Sequence, residues 1–276
     1  MVYYEHFCTE HIGMILTIAT IITLVLIWCK KADKKHGLSS PCVAKTLAPD
    51  SQAGHAGTPS DGSSAGRSRG ALAPSLKLAR ILAVVLFLAE LIQDILAYNE
   101  GFPLKSILPF HLCNMGIFIH LLSSFTRGKV QQFFSEISLV LIMPGAIGAI
   151  LFPDWNYQPF WKWLSLMIFF THMLLTLIPL IHLVGGRIHV KFTHFWYSIL
   201  FMLIVTPPVY WLDVTLDADY LFLRIPVSGS PLEWTYNLFG EKLYVLGLFC
   251  LMVCVLAFEY CLIIGLRTIR NHIRSK

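Results

Sequence analysis

Residues 107–125, ILPFHLCNMGIFIHLLSSF, decide how the chain is read. The stretch is apolar enough to lie in a bilayer, yet it carries His111, Cys113 and His120. Ionisable side chains are expensive in lipid, and where they occur they mark functional sites by default. The rest of the sequence must therefore say whether this stretch crosses a membrane, and what its polar groups are for.

The surroundings favour a membrane. The chain has 276 residues, of which 56% are hydrophobic and 13% charged, and its mean hydropathy is +0.66. Soluble globular domains carry about 25% charge. A helix needs about 20 apolar residues to cross the hydrocarbon layer. Runs of that kind cover 12–29, 80–98, 107–125, 134–152, 161–184, 195–213 and 243–265. The expected fold class is all-α, a polytopic bundle of seven transmembrane helices. The run at 107–125 is the weakest, opening at Pro109; proline is cheap in a first helical turn, where the N–H has no partner anyway. Glu5 and Glu10 precede the first run, so it lacks the basic n-region of a cleaved signal.

The basic residues test this division. With seven spans, all of the 21 Lys and Arg except Lys105, Lys162, Arg224 and Lys242 fall on one side. Retained loops carry the positive charge, which predicts the N-terminus outside and the C-terminus cytoplasmic. The net charge of +5 then reports topology and affinity for anionic headgroups, not nucleic-acid binding. The expected partner is membrane lipid. Residues 1–31 hold the first helix, 32–78 a cytoplasmic linker, 79–266 a six-helix core and 267–276 a basic tail. The linker is rich in Ser, Gly, Ala and Pro, too poor in large apolar groups to order itself. No CxxC pair or Cys/His zinc spacing calls for a metal or other cofactor.

Helix rise sets the depth of the polar residues. Counted from the predicted outer ends, Asp94 and His111 lie about 6 Å deep, Cys113 about 9 Å, Glu90 about 12 Å and His172 about 16 Å. Glu90 and Asp94 are four apart and share a face, as do His111 and Asn114. Asp213 closes the sixth run. A second set, His120, Glu136, His182 and Glu259, lies nearer the other side. Either set could hold the bundle together through interhelical hydrogen bonds. The outer set, spread over four runs at similar depth, also suits a polar cavity that does chemistry. A cysteine beside histidine suggests a thiolate and its base, although buried cysteine usually only packs.

Four stretches, LPFHLCNMGIF, MPGAIGAILFPDWN, FFTHMLLTLIPLIHL and DADYLFLRIPVSGSPLEW, resemble the YwaF-like family of bacterial integral membrane proteins. The likeness covers runs two to seven in order. That family is similar to an animal seven-span acyltransferase that remodels ether phospholipids, and more remotely to membrane threonine hydrolases of fatty acid esters. The resemblance implies a bacterial cell membrane and a lipid-facing site. It matches His111, His172 and Glu90 to polar positions of the acyltransferase. At the position of its nucleophilic cysteine, this chain has Phe110, with Cys113 three residues on. The candidate catalytic residues are therefore His111, His172, Glu90, Cys113 and Asp94. The expected function is a lipid acyltransferase or lipid ester hydrolase: His172 acts as general base, Glu90 or Asp94 orients it, and Cys113 or water attacks. A transporter or scaffold of the same fold is the alternative.

Overall fold

The computed structural model describes residues 4–36 and 72–274. Most of the expected 32–78 linker lies outside the described residues. The helices on either side reach into its ends: α1 spans Thr9–Lys35 and α2 spans Pro74–Asn99. They are followed by α3 (Leu112–Phe125), α4 (Gly128–Ile137), a π-helical turn (Ser138–Ile142), α5 (Met143–Leu151), α6 (Trp163–Val184), α7 (Phe195–Leu216) and α8 (Pro231–Arg274). No strand occurs among the described residues. The bundle is all-α, and the described residues include six helices long and apolar enough to cross a membrane, α4 to α5 counting as one. The shorter α3 makes the seventh passage.

The α3 segment departs from the sequence reading. Its helix starts at Leu112, not Pro109, and has 14 residues, about 21 Å of rise against a hydrocarbon layer of about 30 Å. Pro109 is the reason. It disfavours helical geometry at Leu108 and supplies no N–H. The chain from 104 to 111 therefore runs as a 3₁₀ turn and bends. His111 is the N-cap of α3, with φ −67° and ψ 149°. Irregular backbone at this depth persists only where protein or a cavity covers it.

Helix α6 is the axis of the bundle. Phe169, Leu174, Leu175, Ile178 and Ile181 on it are buried. It packs against α2 through Ala79, Ala83 and Leu86, all fully buried at spacings of four and three residues. Small side chains let membrane helices approach closely, where packing rather than the hydrophobic effect holds them. Helix α3 approaches by the same device, since a Cβ on Gly116 would lie 2.6 Å from Ile142 Cγ2. Helices α1, α7 and α8 lie at the margin and turn Leu16, Leu24, Trp196, Leu203 and Phe258 outward. Helix α8 breaks at Gly240, whose φ of 70° a side chain would resist.

The second polar set is structural in its contacts. His120 Nε2 donates to the Leu175 carbonyl at 3.1 Å, and Ser138 Oγ donates to His120 Nδ1 at 2.7 Å. Glu136 accepts from Tyr260 Oη at 2.9 Å and from His194 Nδ1 at 2.7 Å. Each bond joins two passages through otherwise apolar packing.

Candidate functional site

The chemistry-bearing residues gather at the end of the bundle where α1 begins and α2 finishes. His172 sits on α6, half-buried, with its ring 5.3 Å from that of Trp155. Its Nδ1 lies 2.8 Å from the carbonyl of Ile168, one turn back. A carbonyl only accepts, so Nδ1 carries a proton, and in the neutral ring Nε2 holds the free lone pair. The orienting group is thus a backbone carbonyl of the same helix, not Glu90 or Asp94.

His111, the N-cap of α3, makes no hydrogen bond or ring contact with His172. Its ring lies 5.4 Å from Tyr220 and 5.7 Å from Phe222. Phe110, at the nucleophile position of the resemblance, packs its ring 5.3 Å from Tyr220. Tyr220 hydrogen-bonds through its hydroxyl to the Lys105 carbonyl and is buried. No side chain caps α3, so the N–H groups of its first turn are open to a developing negative charge beside His111.

Glu90 accepts from Asn114 Nδ2 at 2.7 Å, which ties α2 to α3. Asp94 reaches Glu90 through charge and not through a hydrogen bond. Cys113 is half-buried against the main apolar core, and the charges of Asp154 and Glu90 both act on it. Glu90 thus meets the first turn of α3, which carries Cys113 next to His111, through Asn114, while His172 meets the α5–α6 connection through Trp155.

A cleft of about 310 Å³, lined by His6, Asp154, Asp219, Phe222 and Ser228 among others, adjoins His111 through Phe222; none of the candidate catalytic residues lines it. Phe222 has one side on the cleft and its ring on His111. The loop that carries it is held hard. Asp213 Oδ1 accepts the Tyr220 N–H at 2.6 Å, and Asp219 accepts the N–H groups of Arg224 and Ile225. Burial raises the Asp219 carboxyl above its ordinary range, and those two N–H groups oppose the shift. Leu221 and Phe222 both have positive φ, 58° and 54°. Such geometry costs about 1–3 kcal/mol per residue and collects at functional sites. On the other rim, His6 Nε2 donates to the Pro153 carbonyl at 3.2 Å and His11 Nε2 to that of Ile150 at 2.8 Å. The segment before α1 is thereby strapped to the α5–α6 connection.

A family model for the TMEM164 family matches residues 6–257, nearly the whole chain. The chain belongs to the TMEM164 family. Comparison with curated proteins and with solved structures gave no match. TMEM164 membership agrees with a multi-pass integral membrane protein, as the apolar helices require. Among the described residues, no cluster of three or more His, Cys, Asp or Glu could hold a metal ion.

Sequence reasoning passed over Asp154, Trp155, Tyr220 and Phe222 as site residues. The signal was present, since all four fall inside the stretches MPGAIGAILFPDWN and DADYLFLRIPVSGSPLEW. Counting depth along helices could not use it, because these residues sit on connections that fold back over the helix ends.

Proposed function

We propose that this TMEM164-family chain is a lipid-acting membrane enzyme, an acyltransferase or an ester hydrolase, with His172 as general base. The observation that carries the reading is the Nδ1 bond to Ile168, which leaves Nε2 free to accept a proton. The likeness to acyl-transferring membrane proteins, noted on the His111 and His172 stretches, points the same way. His172 Nε2 takes a proton from an attacking hydroxyl, of a lysolipid or of water, and the freed oxygen bonds to the acyl carbonyl carbon. The uncapped N–H groups of α3 stabilise the oxyanion. The acyl–oxygen bond then breaks, and the proton passes back from His172 to the leaving oxygen. Where Cys113 attacks first, its thiol proton goes to the same nitrogen and on to the donor's leaving oxygen as the acyl–oxygen bond breaks; the hydroxyl of water or lysolipid then attacks the thioester carbonyl and the thiol leaves, reprotonated from His172.

With the N-terminus outside, the cleft opens on the outer leaflet. The test is purified full-length protein in nanodiscs, supplied with lysophospholipid and a labelled phospholipid acyl donor. Labelled fatty acid measures hydrolysis and labelled diacyl product measures transfer. His172→Gln is expected to lose at least about a hundredfold of either activity. Cys113→Ser with full activity selects the water or direct-transfer route; its loss, with label trapped on Cys113 in the wild type, selects the thioester. No turnover by the wild type, or wild-type turnover by His172→Gln, would sink the enzymatic reading in favour of a transporter or scaffold.

A further inference from the structure

The opposite end of the bundle, where α1 and α6 finish and α2 begins, holds two arginines with few partners. Arg80 lies in the second turn of α2. Its Nε donates to the Ser124 carbonyl at 2.9 Å and its guanidinium lies 5.3 Å from the Phe125 ring centroid. Neither of its Nη groups makes a hydrogen bond with a described residue. Arg187 follows α6. Its backbone N–H closes on the His182 carbonyl at 3.0 Å across Gly186, whose φ of +71° suits glycine. That turn fixes where the side chain starts. Its guanidinium forms no hydrogen bond or ion pair with any described residue.

The two arginines flank one pair of bonded residues: Arg80 holds the Ser124 carbonyl, the Ser124 hydroxyl lies 3.1 Å from His182 Nε2, and the Arg187 N–H closes on the His182 carbonyl. Burial lowers Arg187 to about 10, with Asp33 opposing and Arg80 adding to the shift. It stays cationic at neutral pH, but its charge is poorly answered. Among the described residues Asp33 is the one carboxylate acting on it, and Oδ1 of that carboxylate is already engaged by the Ser75 N–H at 3.1 Å. Two buried polar atoms here lack partners among the described residues: Ser75 Oγ, in a residue 1% exposed, and His182 Nδ1, in a residue fully buried. Ser75 Oγ lies beside Gly185, two residues before Arg187, and a Cβ there would come within 3.0 Å of it.

We infer that this end of the bundle binds a phosphate group, clamped between Arg80 and Arg187 with the Ser75 hydroxyl as a further donor. Paired guanidinium forks match the oxygens of a phosphate and leave no like charge unanswered. The site lies at the end expected to be cytoplasmic, where basic pockets between membrane helices take anionic headgroups. Phe125 and Ile81 are exposed beside Arg80, a surface along which acyl chains could lie. The phosphate belongs either to a lipid headgroup or to a soluble phosphate ester; the chemistry of the clamp is common to both. The site is separate from the cleft and does not depend on the proposed activity.

The test uses full-length protein in neutral detergent at fixed ionic strength. Thermal unfolding is followed while dihexanoyl phosphatidic acid, inorganic phosphate or chloride is added. Saturable stabilisation by a phosphate probe beyond chloride is expected, weakened at least about tenfold in apparent affinity by Arg187→Gln and largely kept by Arg187→Lys. Stabilisation by the lipid probe alone assigns a headgroup; equal stabilisation by inorganic phosphate assigns a soluble ester. Ser75→Ala serves if Arg187→Gln does not fold, and is expected to weaken binding severalfold. Phosphate probes that do no more than chloride, or variants that respond as the wild type does, would overturn the assignment.

Discussion

Asn114 donates from Nδ2 to Glu90 Oε1 at 2.7 Å, and this bond fixes the first turn of α3 against α2. It matters because α3 is short and begins beside irregular backbone, and the His120 and Gly116 contacts hold only its later turns. Asn114→Leu removes the donor and leaves a half-buried carboxyl group unpaired, at a cost of about 1–3 kcal/mol. Glu90→Gln keeps an acceptor oxygen and should cost less. The measurement is thermal unfolding of both variants in detergent. Equal unfolding temperatures for Asn114→Leu and the wild type would show that the bond does not hold α3.

Gly116 sets how near α3 comes to the π-helical turn. Its missing side chain leaves room for Ile142 Cγ2 at 2.6 Å and Leu175 Cδ2 at 3.2 Å from where a Cβ would stand. Gly116→Ala should therefore destabilise by about 1–3 kcal/mol through overpacking. Ile142→Ala, which removes the clashing methyl, should cost about 2–5 kcal/mol alone. Combined, the two should cost less than their sum, because the second change empties the space the first one needs. Strict additivity would mean that the helices shift apart instead of clashing.

These two cases mark how far the sequence could be read. Composition and the spacing of apolar runs are enough for an all-α membrane bundle, because a bilayer demands long apolar helices whatever the details of packing. His111, His172, Glu90 and Cys113 also stand out, as ionisable groups in apolar runs, and the Asn114 bond ties Glu90 to the turn that carries Cys113. The start of α3 was misread because the hydropathy of residues 107–111 looks helical, whereas Pro109 and the covering loops decide otherwise. The partner of His172 was beyond reach for a different reason. Any carboxylate at similar depth was a candidate, and only coordinates reveal that the nearest acceptor is the Ile168 carbonyl. The rings over His111 were hidden in connections, where no periodicity relates position in sequence to position in space.

Tyr260 and Glu136 are both fully buried and joined at 2.9 Å between α8 and α4. Tyr260→Phe removes the donor to Oε1 while leaving His194 Nδ1 and Gln132 Nε2 on the other oxygen. A loss of about 1–3 kcal/mol is expected from the unpaired carboxylate oxygen. Glu136→Gln combined with Tyr260→Phe should be clearly non-additive, since both act on one network. Two independent losses in a double-mutant cycle of unfolding midpoints would count against a shared network.

The orientation of the chain can be read from cysteine accessibility. The asymmetry of Lys and Arg predicts residues 4–8 outside and the segment between α1 and α2 inside. Helix order makes these positions opposite, because one passage, α1, separates them. Cys42 lies in that segment, outside the described residues, and Glu5 is exposed just before α1. Two single-cysteine proteins are needed, one keeping Cys42 and one carrying Glu5→Cys. In intact cells a membrane-impermeant maleimide should label the Glu5→Cys protein and spare the Cys42 protein, which should label only after permeabilisation. Deleting residues 46–70, which spares Cys42, should leave this pattern and the folded protein intact, because the segment has almost no large apolar side chains with which to pack. Labelling of Cys42 from outside would invert the bundle and put the cleft over His111 on the cytoplasmic face; loss of the folded protein on deletion would show that the segment packs against the helices.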